Sequence, residues 1–229
     1  MRYAVYYAPA PRSALWRTGS EWLGWDAARG VTLLPPALPA LPAGLLARLA
    51  PLTRRAAHYG WHATLKAPFR LADGVDEAQL LQQVAALAAT CTPFSLPLQV
   101  GTLRDATVLR VDGDSTAIDA LAERCVRQLL PLGAPAPDRP GLSPHEAALH
   151  AAWGYPYVLD QFCFHLTLAQ RSREPALQAA IERAAAAHFD GLLHAEVAAL
   201  SVFVEARPDE PMRLLAECGF DGSLTRHLR

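Results

Sequence analysis

Short apolar runs and longer runs at helical spacing alternate along the chain. Residues 2–8 are aromatic and β-branched and close at Pro9, which predicts a strand. Ser13 is placed to cap a helix carrying Leu15, Trp16, Trp22 and Leu23, although Gly19 weakens it. Residues 31–44 are rich in Pro and Leu and read as a loop, with short helical pieces from Ala43 to Ala57. Trp61–Phe69 reads as a strand. Asp76 to Thr90 reads as a helix, with Leu80, Val84, Leu87 and Ala88 on one face. Strands follow at Phe94–Leu103, whose prolines suggest an edge or a bulge, and at Thr107–Val111. Ser115 is placed to cap a helix through Leu130, and residues 131–142 form a loop. Ser143-Pro144-His145-Glu146 has the cap, proline and acidic third residue of a helix start. Phe162–Ala169 is a strand and Glu174–Phe189 a helix. Val197–Glu205 and Met212–Cys218 read as a closing strand pair.

The order of elements in the first half recurs in the second, and Val5 precedes His62 by the same spacing as Val108 precedes His165. This pattern looks like an internal duplication. The matched strands carry Trp61-His62-Ala63-Thr64-Leu65-Lys66 and Phe164-His165-Leu166-Thr167-Leu168-Ala169. Side chains alternate along a strand, so His and Thr of each motif share a face. Two such motifs can bring two imidazoles and two hydroxyls to one cleft. Imidazoles near neutral pKa suit concerted proton transfer at a phosphorus lying between them. His62 and His165 are the candidate base and acid, in either order. Thr64 and Thr167 are candidate donors to the non-bridging oxygens. Such chemistry needs no metal.

Composition narrows the field. The chain has 229 residues, 52% of them apolar and 19% charged, so a folded globular protein is expected. A net charge of −1 disfavours a long nucleic acid held on a basic surface, but leaves room for a small anion site. Four cysteines without a paired spacing argue against a disulfide framework or a zinc knuckle. The chain shows no signal-peptide core and no membrane-spanning run, so a cytoplasmic location is expected.

The paired motifs resemble those of the 2H phosphoesterase superfamily. Residues 2–9, Trp22-Leu23-Gly24, 62–69 and 153–168 resemble a DUF1045-like bacterial branch associated with phosphonate metabolism. The resemblance implies an α+β fold: a single domain over 1–229 made of two related lobes, about 1–104 and 105–229. Two mostly antiparallel sheets would flank a central cleft, with helices outside. It implies a hydrolase, a metal-independent phosphodiesterase acting on a small, cyclic phosphate ester of ribose, nucleotide or sugar. It assigns His62, His165, Thr64 and Thr167 to the site. Trp25 follows Trp-Leu-Gly where the branch carries Arg, which implies a different substrate preference. Other readings stay open: a module that binds or senses a phosphorylated metabolite without turnover, or RNA end-processing or ligase-like activity.

Further candidates stand beside their bland alternatives. Lys66 would share the face of His62 and Thr64 in a regular strand, adding charge for a phosphate, or would point to water at a strand end. Tyr157, ahead of Tyr155, would touch substrate, or serve as a core tyrosine. His58 and His62 have a helical metal-binding spacing, but Gly60 between them argues against a helix and no Glu follows His58. His145 and His150 are five apart, poor for one face, so no metal or other cofactor is expected. Arg12 and Arg17 read as a solvated helix face. The loops 31–44 and 131–142 are lids or simple connections.

Overall fold

The computed structural model describes residues 1–34 and 44–228. In chain order the elements are β1 (Arg2–Tyr7), α1 (Ala14–Leu23), β2 (Trp25–Asp26), β3 (Val31–Thr32), α2 (Leu45–Tyr59), β4 (Ala63–Phe69), α3 (Glu77–Ala88), β5 (Phe94–Leu103) and β6 (Ala106–Val111). There follow α4 (Thr116–Gln128), α5 (Pro144–Trp153), β7 (His165–Gln170), α6 (Pro175–His188), β8 (His194–Val197), β9 (Ala199–Glu205), β10 (Arg213–Gly219) and β11 (Leu224–Arg226). One sheet runs β11-β10-β9-β1-β4, the other β7-β6-β5-β8, and β2 and β3 form a small ribbon. All ladders are antiparallel. The fold is therefore bilobal α+β, with one motif strand, β4 or β7, at the edge of each sheet.

Local signals account for most boundaries. The Ser13 hydroxyl accepts the Trp16 N–H at the start of α1, and Gly24 closes that helix in the left-handed conformation. Gly19 sits inside α1 because the Trp61 indole packs where its side chain would be; a Cβ there would lie 2.1 Å from Trp61 Cε2. Reciprocal capping boxes open α3 at Asp76–Gln79 and α5 at Ser143–Glu146. The expected short pieces of 43–57 are one helix, α2, with Pro51 inside it. Most of the expected loop 31–44 lies outside the described residues, and its first two residues are β3.

Two expectations need correction. Ser115 stands at the start of α4 but its hydroxyl does not cap it. It donates to Asp119, and Asp114 accepts the Thr116 N–H instead. The stretch around Val197 is two strands in two sheets: β8 pairs with β5, and β9 pairs with β1. The sequence halves thus interleave, since β5 joins the strands β6–β8 while β9–β11 return to β1 and β4.

The ladders beside the motifs share one irregularity. Tyr6 pairs with Thr64 and Val5 with Lys66, which leaves Leu65 as an extra residue. Val108 pairs with Thr167 and Thr107 with Ala169, which leaves Leu168 as the extra residue. A bulge thus sits immediately after each motif threonine. Packing crosses between the sheets as well: α2 lies against β7, α4 against β4, and β4 touches β7. The Trp22 indole N–H donates to the Leu168 carbonyl at 2.9 Å and ties α1 to the second motif strand.

Candidate active site

Each histidine immediately precedes or opens its strand and is oriented by the same backbone device. His62 Nδ1 donates to the Gly60 carbonyl at 2.9 Å, and His165 Nδ1 donates to the Cys163 carbonyl at 2.8 Å. In both the partner lies two residues upstream. A carbonyl can only accept, so the proton is on Nδ1 and Nε2 keeps its lone pair. Gly60 makes this possible at the first motif: its φ of 77° and ψ of −179° form a conformation open essentially to glycine alone.

The surroundings then diverge. The His62 ring stacks on Tyr6, with centroids 3.8 Å apart and planes 25° from parallel. Its Nε2 lies 3.3 Å from the Thr64 hydroxyl, which donates to it. Burial pushes His62 down to about 4, and a positive charge on His165 would push it further. Burial also lowers the His165 imidazole, and the Arg104 charge beside it adds to the effect. Near neutral pH both imidazoles are therefore neutral acceptors at Nε2.

His62, Thr64, His165 and Thr167 line one cleft between the two edge strands, and Tyr157 and Lys66 line it too. Lys66, however, does not share the face of His62 and Thr64. Directly paired residues of an antiparallel ladder share a face, and the bulge at Leu65 pairs Lys66 with Val5 rather than with Tyr6's side of the sheet. Lys66 is buried, its Nζ lies 4.8 Å from the centroid of Phe69, and burial lowers it to about 8. It is the single lysine of the chain.

Tyr157 meets Tyr155 edge to face at 5.5 Å, and the Arg104 guanidinium lies 3.9 Å above the Tyr157 ring. Arg139 stands 5.6 Å from the centroids of both tyrosines. Both arginines line the cleft, and neither was singled out from the sequence. Arg104 lies in a two-residue turn and Arg139 in a proline-rich loop, where no periodicity points to a face. The one local signal is structural: Arg104 has φ 49°, rare outside glycine.

Other candidates, except His150 on the cleft wall, fall outside the cleft. Trp25 does not line it, and its indole N–H donates to the Met212 carbonyl at 3.1 Å. Arg12, in the turn before α1, and Arg17, on α1, are exposed and also lie away from it. His58 and His62 are not on one helix, since α2 ends at Tyr59; His58 pairs with Glu205 at 3.1 Å, as does Arg2 at 2.8 Å. His145 pairs with Asp160 and His150 bonds the Pro137 carbonyl. Among the described residues no group of three or more His, Cys, Asp or Glu could hold a metal ion, and no helix is long and apolar enough to cross a membrane.

Comparison with known proteins adds a family and two relatives. The family described as protein of unknown function (DUF1045) matches residues 64–213. A ribose 1,5-bisphosphate phosphokinase PhnN of Laribacter hongkongensis (strain HLHK9) is 44% identical over 214 residues, covering 93% of this chain and 50% of that protein. A protein of the same name from Janthinobacterium sp. (strain Marseille) is 36% identical over 220 residues, covering 92% of this chain and 48% of its own length. The chain thus spans about half the length of these curated relatives. Their names describe a phosphokinase, which transfers a phosphoryl group, and this corrects the hydrolase and phosphodiesterase class expected from the sequence. The sequence contains no Gly-x-x-x-x-Gly-Lys-Ser/Thr segment, its one lysine following Leu65.

Proposed function

The chain belongs to the DUF1045 family of proteins of unknown function, and we propose that its β4–β7 cleft binds a ribose phosphate with the phosphorus between His62 and His165. The observation that carries this reading is the matched pair of Nδ1–H bonds to Gly60 and Cys163. They leave two neutral Nε2 atoms in one cleft that the threonine of each strand also lines, Thr64 within 3.3 Å of His62 Nε2. Support also comes from the likeness of the paired motifs to those of the 2H superfamily, and from the phosphonate-metabolism setting of the branch the sequence resembles. The names of the relatives supply the ribose phosphate and the phosphoryl-transfer class.

The chemistry follows from the two environments. A bound phosphate dianion stabilises a proton on one imidazole. His62, held furthest from protonation, takes the proton of an attacking hydroxyl. The bond from that oxygen to phosphorus forms as the bond to the leaving oxygen breaks. His165 in its imidazolium form gives the leaving oxygen a proton. Thr64, giving up its bond to His62 Nε2 as the phosphate enters, and Thr167 donate to the non-bridging oxygens, where charge builds.

A second reading is favoured by the half-length match and by the missing phosphate loop: the chain holds the ribose phosphate without turning it over. One experiment separates them. Calorimetric titration with ribose 5-phosphate, beside ³¹P NMR of ribose 1,5-bisphosphate with and without a nucleoside triphosphate, is run on the wild type, His62→Gln and His165→Gln. New resonances that need both histidines support transfer. Binding weakened in both variants without any new resonance supports the second reading. No binding, or binding and spectra indifferent to both substitutions, overturns the proposal.

A further inference from the structure

The cleft carries two guanidiniums, Arg104 beside His165 and Arg139 near the same tyrosine, that pair with no carboxylate among the described residues. Arg104 and Arg139 both stand over Tyr157, at 3.9 and 5.6 Å from its centroid, so their charges lie no further apart than those two distances together. Among the described residues neither forms an ion pair with a carboxylate. Glu146 feels both charges, but its carboxylate accepts the Ser143 backbone N–H at 2.9 Å as part of a helix cap. Two like charges held together are unfavourable unless an anion joins them.

Stacking leaves the in-plane N–H groups of Arg104 free for that anion, and Arg139, which also bonds Tyr155, keeps others of its five N–H donors. A guanidinium lying on an aromatic ring spends its face on the ring, and its in-plane N–H groups remain available as a fork for phosphate. Tyr155 and Tyr157, edge to face at 5.5 Å, hold the platform. The backbone is committed too, since Arg104 holds φ at 49° in the β5–β6 turn. Both arginines line the same cleft as His62 and His165.

We propose that Arg104 and Arg139, seated on Tyr157 and Tyr155, form a second phosphate subsite that holds the far phosphate of a doubly phosphorylated pentose while the first lies between the two imidazoles. The subsite makes the cleft selective for a sugar phosphorylated at both ends over either monophosphate. It rests on the reading of the cleft as a ribose-phosphate site.

The test uses the full chain and compares affinity for ribose 1,5-bisphosphate and ribose 5-phosphate by calorimetry at fixed ionic strength. The variants are Arg104→Gly, Arg139→Gln and Thr64→Val. Both arginines are exposed, and glycine suits the left-handed turn, so Arg104→Gly melts at or above the wild-type temperature. The wild type binds the bisphosphate about 10- to 100-fold more tightly than the monophosphate. Each arginine variant loses most of that preference and keeps its monophosphate affinity. Thr64→Val weakens both sugars alike. Equal wild-type affinity for the two sugars, or a preference kept in both arginine variants, overturns the subsite alone. A preference lost in the arginine variants, with binding indifferent to Thr64→Val and to the histidine variants, overturns the imidazole reading alone. No binding of either sugar overturns both.

Discussion

The strand carrying His62 and the strand carrying His165 are built alike and surrounded differently. Both lie at a sheet edge, both bulge after the motif threonine, and both fix the imidazole through a carbonyl two residues upstream. The backbone therefore sets one tautomer twice. The side chains then separate the pair. Tyr6 stacks on His62 where Val108 stands opposite the second motif, and among the described residues the Arg104 charge acts on His165 while no arginine acts likewise on His62. Equivalent geometry with unequal burial is how two like groups are given unlike proton affinities.

The sharpest break in the likeness is at the two carbonyls. At Gly60 a Cβ would lie 2.9 Å from the Ala27 Cβ, in a backbone conformation that excludes other residues. Gly60→Ala should cost about 2–3 kcal/mol of stability in chemical denaturation, whereas Cys163→Ala at the matched position should cost under ~0.5 kcal/mol. Equal costs would show that the two devices are not built differently.

The next largest effect is on pH. His62 is held near 4 when folded and returns to the usual 6.5 when unfolded. Between those values the unfolded chain binds a proton that the folded chain does not. Stability from this site is full above pH 6.5 and falls as pH drops toward 4, by roughly 3 kcal/mol in all. His62→Gln should flatten that part of the stability profile more than His165→Gln does. Imidazole ¹⁵N spectra should show Nδ1–H tautomers for both rings at neutral pH, with His62 titrating the lower. A shared titration point would erase the contrast between the motifs.

A smaller change tests its cause. Tyr6→Leu removes the stacked ring and should raise the His62 pKa by about one unit, leaving His165 unmoved. The smallest effect concerns Lys66. On the Val5 face it should matter less than Thr64, so Lys66→Met should weaken ribose 5-phosphate less than ~3-fold while Thr64→Val weakens it about 10-fold. The reverse order would mean that the bulge does not turn Lys66 away.

Much of this was legible from the chain. The caps at Ser13 and Ser143, β5, α3 and the two His-x-Thr strands all follow from periodicity and turn chemistry, because those signals act over a few residues. The face that Lys66 takes was not legible because a bulge is a property of the ladder, and the shared face was expected only of a regular strand. Arg104 and Arg139 were invisible because a turn and a proline-rich loop carry no period to set a face. The break between β8 and β9 was hidden because one apolar run serves two sheets.

The sequence by itself therefore determined that two strands each present an imidazole and a hydroxyl, since residue order and a period of two suffice for that. Only the tertiary structure decided that the strands are sheet edges sharing one cleft, that α2 and α4 pack crosswise onto them, and that two arginines meet at Tyr157 in that cleft. These are contacts between residues distant in the chain, set by the packing of whole sheets and helices, and no local pattern encodes them singly.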